Sequence, residues 1–138
     1  MKIVKRKSNL IPYCFTSNHF EFYLSHRSRD AKQFPDLWSF WGGGIEEGET
    51  SEEAVIREIK EELDWKLKQY KFLGVYYDSM PNEKHIYFSE VEKDFEEGIK
   101  ILESQGGKFF TFEEIIGSKD ILPEDKNVLS DLFDFLNR

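Results

Sequence analysis

The segment from Gly42 to Trp65 constrains the fold and the chemistry of this chain more than any other. Three consecutive glycines are followed by a capping-box pattern, Thr50 with Glu53 three residues later, which predicts the start of a helix. The run 54–63 contains no Gly or Pro, so the helix can continue through it. The apolar residues expected to face a core from this helix are Ile56, Ile59 and Leu63.

The same segment holds nine carboxylates, and three of them share one side of the predicted helix. Glu58, Glu61 and Glu62 stand at i, i+3 and i+4, so their side chains can converge on one point. Like charges at this spacing cost roughly 0.2–0.5 kcal/mol per pair on an isolated helix. Clustered carboxylate oxygens suit Mg²⁺, Mn²⁺ or Ca²⁺ better than zinc. The alternative is a solvated acidic face without any ligand.

Composition and charge restrict the functions to be considered. The chain has 138 residues, 39% hydrophobic and 16% aromatic, as expected for one folded domain over residues 1–138. A net charge of −8 disfavours binding to nucleic acid or an anionic membrane. The single cysteine, Cys14, excludes an internal disulfide. With no apolar run of about 20 residues and no signal-peptide pattern, we expect a cytoplasmic protein without a membrane segment.

Strand and helix patterns surround the central helix. Aromatic-rich runs at 10–15 and 20–25, separated by a polar turn at 16–19, predict a β-hairpin. Further strands are predicted at 70–77, 85–91 and 108–112, and further helices at 113–116 and 123–136. Strands around one central helix, with another helix at the C-terminus, favour an α/β sandwich.

The spacing of the charged residues resembles the signature of a known family. The pattern Gly-x5-Glu-x7-Arg-Glu-Ile-x-Glu-Glu is formed by Gly43, Glu49, Arg57, Glu58, Ile59, Glu61 and Glu62. It resembles the Nudix box of the Nudix (MutT-like) hydrolases. Two positions depart from the pattern: Asp64 stands where a glycine usually ends the helix, and Trp41 replaces a common proline. Because aspartate can adopt the left-handed conformation, we expect a modest change at the helix exit and an intact metal face.

The resemblance implies a Nudix-type α/β/α sandwich with a mixed sheet, a central Nudix helix and a C-terminal helix. It also implies that Mg²⁺ or Mn²⁺ is held by Glu58, Glu61 and Glu62, with the Gly42 carbonyl as a further ligand. A fourth acidic residue, Glu103, is expected from a loop before a late strand. By the same resemblance, Arg57 pairs with Glu49 and braces the glycine loop. The general base is either Glu58 or Glu103.

The implied reaction is attack of water on a diphosphate phosphorus. A normal or modified (d)NTP, hydrolysed to NMP and pyrophosphate, is the expected substrate; nucleotide sugars, dinucleoside polyphosphates and isoprenoid diphosphates remain alternatives. The candidate substrate-binding residues are Arg27, Gly43, Trp38 and Phe40. A Nudix-fold module that senses a nucleotide or nucleotide sugar without cleaving it is the alternative from a different class. A homodimer is compatible with the resemblance, since dimers are frequent in the family.

Overall fold

The computed structural model describes residues 2–138. The strands are β1 (Lys5–Thr16), β2 (His19–His26), β3 (Trp38–Ser39), β4 (Trp41–Gly44), β5 (Lys71–Tyr77), β6 (Asn82–Glu90) and β7 (Gly106–Thr111). The helices are α1 (Ser51–Leu63), α2 (Phe112–Gly117) and α3 (Pro123–Leu136), with a short 3₁₀ helix at Phe95–Gly98. The predicted hairpin and the three predicted helices are confirmed, whereas the 3₁₀ helix was not predicted.

The seven strands form one mixed sheet with β1 at its centre. One edge of β1 pairs antiparallel with β4 through residues 7–10 and with β2 through residues 13–16, and its other edge pairs parallel with β6. Pro12 falls between the β4 and β2 segments, so the proline lies where the strand changes partner. β4 therefore brings the glycines alongside the first half of β1.

Alternating side chains of the sheet pack into two hydrophobic cores, one on each face of the sheet. Leu10 and Tyr23 pack with α1, whereas the neighbouring Ile11 and Phe22 pack with α2 and α3. The predicted α/β/α sandwich is thus confirmed. Within residues 2–138, the structure contains no helix of the length and apolarity that a membrane span requires.

Helix α1 begins and ends as its sequence indicates. Both hydrogen bonds of the capping box between Thr50 and Glu53 are present. The helix ends at Asp64, whose φ of 48° and ψ of 42° are left-handed, as expected for a residue in place of the usual glycine. The expectation that Ile56 faces the core is wrong, because it lies 36% exposed at the margin of the buried face. Val55 is buried instead, one helical turn before Ile59.

Candidate metal centre and substrate pocket

Three carboxylates meet beside the glycine strand. Glu58 and Glu62 come from α1, and Glu103 comes from the loop between the 3₁₀ helix and β7. Each offers an oxygen atom, and these oxygens lie within 4.8 Å of one another. Glu62 and Glu103, which lie some forty residues apart in the sequence, are therefore neighbours in the fold. Hard oxygen donors at this spacing fit a divalent cation such as Mg²⁺ or Mn²⁺.

The C-terminal end of α1 brings Glu103 to the cluster. The last carbonyls of the helix accept hydrogen bonds from the following loop: Lys100 N–H donates to Leu63 O at 2.8 Å, and Leu102 N–H donates to Glu62 O at 2.8 Å. These two bonds satisfy carbonyls that the helix leaves without internal partners. The residue after Leu102 is Glu103, so the same contacts place its carboxylate next to Glu62.

Glu62 is the most deeply buried member of the cluster. Its side chain accepts a hydrogen bond from the Gly42 N–H at 3.0 Å, which fixes the carboxylate against β4. Burial, together with the charges of Glu58 and Glu103, raises the pKa of Glu62 to about 8. Burial also raises the pKa of Glu58, although Arg57 opposes that shift. A bound cation would offset both the burial and the smaller repulsion that raise these pKa values.

Arg57 connects the helix to the glycine loop. Its guanidinium donates to both oxygens of Glu49, at 2.7 and 2.9 Å, and to the Gly44 carbonyl at 2.9 Å. The Arg57 hydrogen bonds lower the pKa of Glu49 to about 2. The structure thus contains the expected pair between Arg57 and Glu49. Arg57 also donates to Glu58 at 2.9 Å.

Glu61 is not grouped with the other two helix carboxylates. Its side chain is 48% exposed and accepts a hydrogen bond from Arg57 Nη1 at 3.2 Å. Arg57 stands four residues earlier, so it faces Glu61 across one turn of the helix. The expected convergence of three helix carboxylates is therefore replaced by Glu58, Glu62 and Glu103, and a metal-binding role for Glu61 stays a prediction.

The glycines allow this close approach of strand and helix. Gly42 has a φ of +128°, and a Cβ built on it would lie 2.1 Å from the Ser8 carbonyl oxygen. A Cβ on Gly43 would lie 2.6 Å from Glu58 Oε2. Gly42 therefore needs to be glycine for its backbone, whereas Gly43 leaves room for a carboxylate of the cluster.

The carboxylates line a cavity of about 280 Å³. Four basic residues, Lys5, Lys7, Arg27 and Lys84, line the same cavity. Of the predicted substrate-binding residues, Arg27, Gly43 and Phe40 line the cavity. Trp38 does not, because its ring stacks on His26 at 4.5 Å and packs edge-on against Phe110.

Sequence reasoning missed the three lysines that line this cavity. Lys5 and Lys7 belong to a basic run at the start of β1, and this run was the available signal. Lys84 gave none, because it looks like an ordinary charged residue beside a turn. Basic residues that share a cavity with a carboxylate cluster suit an anionic ligand that is bridged to the carboxylates by a cation.

A mixed sheet between helices, with clustered carboxylates and basic residues lining one cavity, defines an α/β protein that can hold a divalent cation beside an anionic ligand. The family model for the NUDIX domain matches residues 11–132 of this chain. The chain belongs to the Nudix family, as its sequence resemblance indicated.

Individual relatives match over shorter stretches. The nucleoside triphosphatase NudI of Enterobacter sp. (strain 638) is 45% identical over 51 residues, 37% of this chain and 36% of that protein. The putative 8-oxo-dGTP diphosphatase YtkD of Bacillus subtilis (strain 168) is 38% identical over 77 residues, 53% of this chain and 48% of that protein. The matches thus span less than half the length of these curated relatives.

The fold itself matches over nearly the whole chain. The MutT protein from Methanosarcina mazei Go1 superposes with a TM-score of 0.78 at 19% identity, covering 99% of this chain and 97% of that one. At this identity the match establishes the shared fold alone.

Proposed function

We propose that the protein is a metal-dependent pyrophosphohydrolase that cleaves a nucleoside-diphosphate-type substrate, with a normal or modified (d)NTP converted to NMP and pyrophosphate. The observation that carries this proposal is that Glu58, Glu62 and Glu103 share one cavity with Arg27 and other cations. The relatives named as a nucleoside triphosphatase and a putative 8-oxo-dGTP diphosphatase support the substrate class.

Glu58, Glu62 and Glu103 would hold Mg²⁺ or Mn²⁺, with Glu61 and the Gly42 carbonyl as further proposed ligands. The bound cation would supply charge neutralisation on the diphosphate and lower the pKa of a coordinated water. Arg57 positions Glu58 and the glycine strand through its bonds to Glu58 and the Gly44 carbonyl. It acts through these partners and Glu49, since its contacts are to protein groups.

Two carboxylates compete for the role of general base. In hydrolysis one of them takes the proton of the attacking water, whose oxygen bonds to phosphorus as the bond to the leaving phosphate breaks. Glu58 accepts a hydrogen bond from Arg57, which stabilises its ionised form, but burial outweighs this contact and raises the pKa of Glu58. Glu103 is exposed on the loop and therefore better placed to exchange protons with water. We assign Glu103 as the base because of this accessibility, and Glu58, which Arg57 holds in place, as a ligand.

A release assay tests the proposal. Chelator-treated protein is supplied with Mg²⁺, Mn²⁺ or no metal, and phosphate or pyrophosphate release is followed over (d)NTPs, 8-oxo-dGTP, nucleotide sugars, dinucleoside polyphosphates and isoprenoid diphosphates. We expect metal-dependent turnover, highest on a triphosphate. Absence of turnover on every class, with tight nucleotide binding, would identify a sensing module instead.

A further inference from the structure

Lys7, which belongs to β1, lines the same cavity as the carboxylates. Its ammonium is half-buried and donates to the side-chain oxygen of Gln33 at 3.2 Å. Burial lowers the pKa of Lys7 to about 8, with Arg27 and Lys84 adding to the effect and Asp78 opposing it. The group still carries its charge at neutral pH, and it does so in an environment that disfavours a cation.

Arg27 shares the same partner. Its Nε and Nη2 atoms both donate to the main-chain oxygen of Gln33, at 3.1 and 2.9 Å. Burial lowers the pKa of this guanidinium as well. Within residues 2–138, neither Lys7 nor Arg27 forms an ion pair with a carboxylate. Two half-buried cations are therefore held together by a single neutral residue.

Glu62 acts on Arg27 through its charge without an ion-pair contact, and the two other nearby carboxylates are engaged by a third cation. Lys84, which is buried, lies 3.0 Å from Asp125 and 3.4 Å from Asp78. Asp78 also accepts from the Asn82 side chain at 2.8 Å, and Asp125 accepts from the Ser39 hydroxyl at 3.0 Å. Both buried aspartates contact Lys84 and accept hydrogen bonds from neighbouring side chains. Neither of them forms an ion pair with Lys7 or Arg27.

We propose that Lys7 and Arg27 form a second anion-binding subsite, which takes a phosphate or carboxylate group of the substrate that is not part of the scissile diphosphate. Gln33 holds the two cations side by side through its side-chain and main-chain oxygens. Holding charged groups in a half-buried position without a counter-ion is unfavourable, and a bound anion removes that cost. The subsite rests on the proposed function for its role in catalysis, and it favours triphosphates over nucleotide sugars.

The subsite can be tested without turnover. Calorimetric titration of chelator-treated protein with inorganic phosphate and with tripolyphosphate isolates the cation pair, because the metal-free carboxylates repel anions. The variant Lys7→Gln removes the charge and Lys7→Arg keeps it. Lys32→Gln is the matched control, since Lys32 is an exposed lysine of the neighbouring loop. Circular dichroism and thermal melts establish that each variant is folded.

We expect the parent to bind tripolyphosphate without metal, and Lys7→Gln to bind it about tenfold more weakly. Lys7→Arg and Lys32→Gln should stay within about twofold of the parent. Equal binding by Lys7→Gln and the parent, or no binding by the parent, overturns the subsite.

A kinetic comparison then tests its role. For a nucleoside triphosphate, Lys7→Gln should raise KM about tenfold with little change in kcat, whereas KM for a nucleotide sugar should hardly change. An equal rise in KM for both substrates would mean that Lys7 contacts a group they share, and would contradict the subsite. Failure of the parent to hydrolyse any substrate overturns the proposed function but leaves the anion titration as a valid test.

Discussion

The carboxylate of Glu58 fills the space that a side chain on Gly43 would need. A Cβ built on Gly43 would lie 2.6 Å from Glu58 Oε2, well inside any permitted contact. The atom that this Cβ would meet is at the end of a flexible side chain, so Glu58 can move away without disturbing the backbone. We therefore predict that Gly43→Ala keeps the fold and lowers metal-dependent hydrolysis at least about tenfold, by displacing a carboxylate of the cluster.

The two flanking glycines provide contrasting controls. Gly42→Ala meets the Ser8 backbone at 2.1 Å and has an unfavourable φ of +128°, so it should lower the free energy of unfolding. Gly44→Ala meets only the flexible end of Lys5, at 3.0 Å, and should change little. Urea unfolding and initial rates on the three variants separate the effects. Equal activity of Gly43→Ala and Gly44→Ala would contradict the role given to Gly43.

The pair between Arg57 and Glu49 should behave as a unit. Both guanidinium bonds are short and the partners are largely protected from solvent, with 24% and 14% of their side chains exposed. In a double-mutant cycle on unfolding free energy, Arg57→Gln and Glu49→Gln should couple, so that the double variant loses less than the sum of the two single losses. Arg57→Lys should not rescue Arg57→Gln, because an ammonium cannot donate two parallel bonds to the carboxylate. Additive losses in the double variant would show that the pair does not brace the loop.

The half-buried charge of Lys7 should lower the free energy of unfolding of the protein. Its pKa is about 8 when folded and about 10.5 when unfolded, so below pH 8 both states are protonated and the folded state bears the whole penalty. We predict that Lys7→Met raises the free energy of unfolding at pH 7 by about 1–3 kcal/mol, allowing for partial exposure. The gain should shrink as pH rises from 8 to 10.5, where only the unfolded state of the parent keeps the proton. Urea titrations at pH 7 and 10 test this; a gain that is larger at pH 10 would contradict it.

The fold followed from local sequence signals wherever those signals were strong. The capping box of Thr50 and Glu53 and the predicted span of the last helix, 123–136, agree with the structure. The error at Ile56 arose because three apolar residues define a helix face only approximately. Val55 marks the true buried face, and its burial depends on where the sheet lies against the helix. The organisation as a single domain stays a prediction.

The site was less predictable from sequence, because much of it depends on contacts between distant segments. The helix periodicity placed Glu58 and Glu62 together, but it could not reveal that the third member of the group is Glu103, while Glu61 is hydrogen-bonded to Arg57. The position of Glu103 depends on the hydrogen bond between Leu102 and Glu62 across a long loop. The unpaired state of Lys7 depends on which carboxylates Lys84 has already engaged, which no local pattern encodes.

Asp64 offers a test of the helix exit. Its left-handed backbone is unfavourable for a residue with a side chain, and its hydrogen bond to Lys60 at 2.7 Å is exposed and adds little. Asp64→Gly should therefore raise the free energy of unfolding by up to about 0.5 kcal/mol, and Asp64→Ala should lower it by about 1 kcal/mol. Chemical denaturation of both variants measures the difference. Equal stability of the alanine and glycine variants would mean that the left-handed exit imposes no constraint.

Replacement of Glu62 tests the central claim most directly, namely that clustered carboxylates carry metal-dependent hydrolysis. Glu62→Gln keeps the shape of the side chain and removes its charge, and the exposed Glu47→Gln is the matched control. We predict that Glu62→Gln unfolds cooperatively like the parent but loses at least about a hundredfold in kcat/KM with Mg²⁺. Glu47→Gln should stay within about twofold of the parent. Hydrolysis by Glu62→Gln at the parental rate would contradict the account.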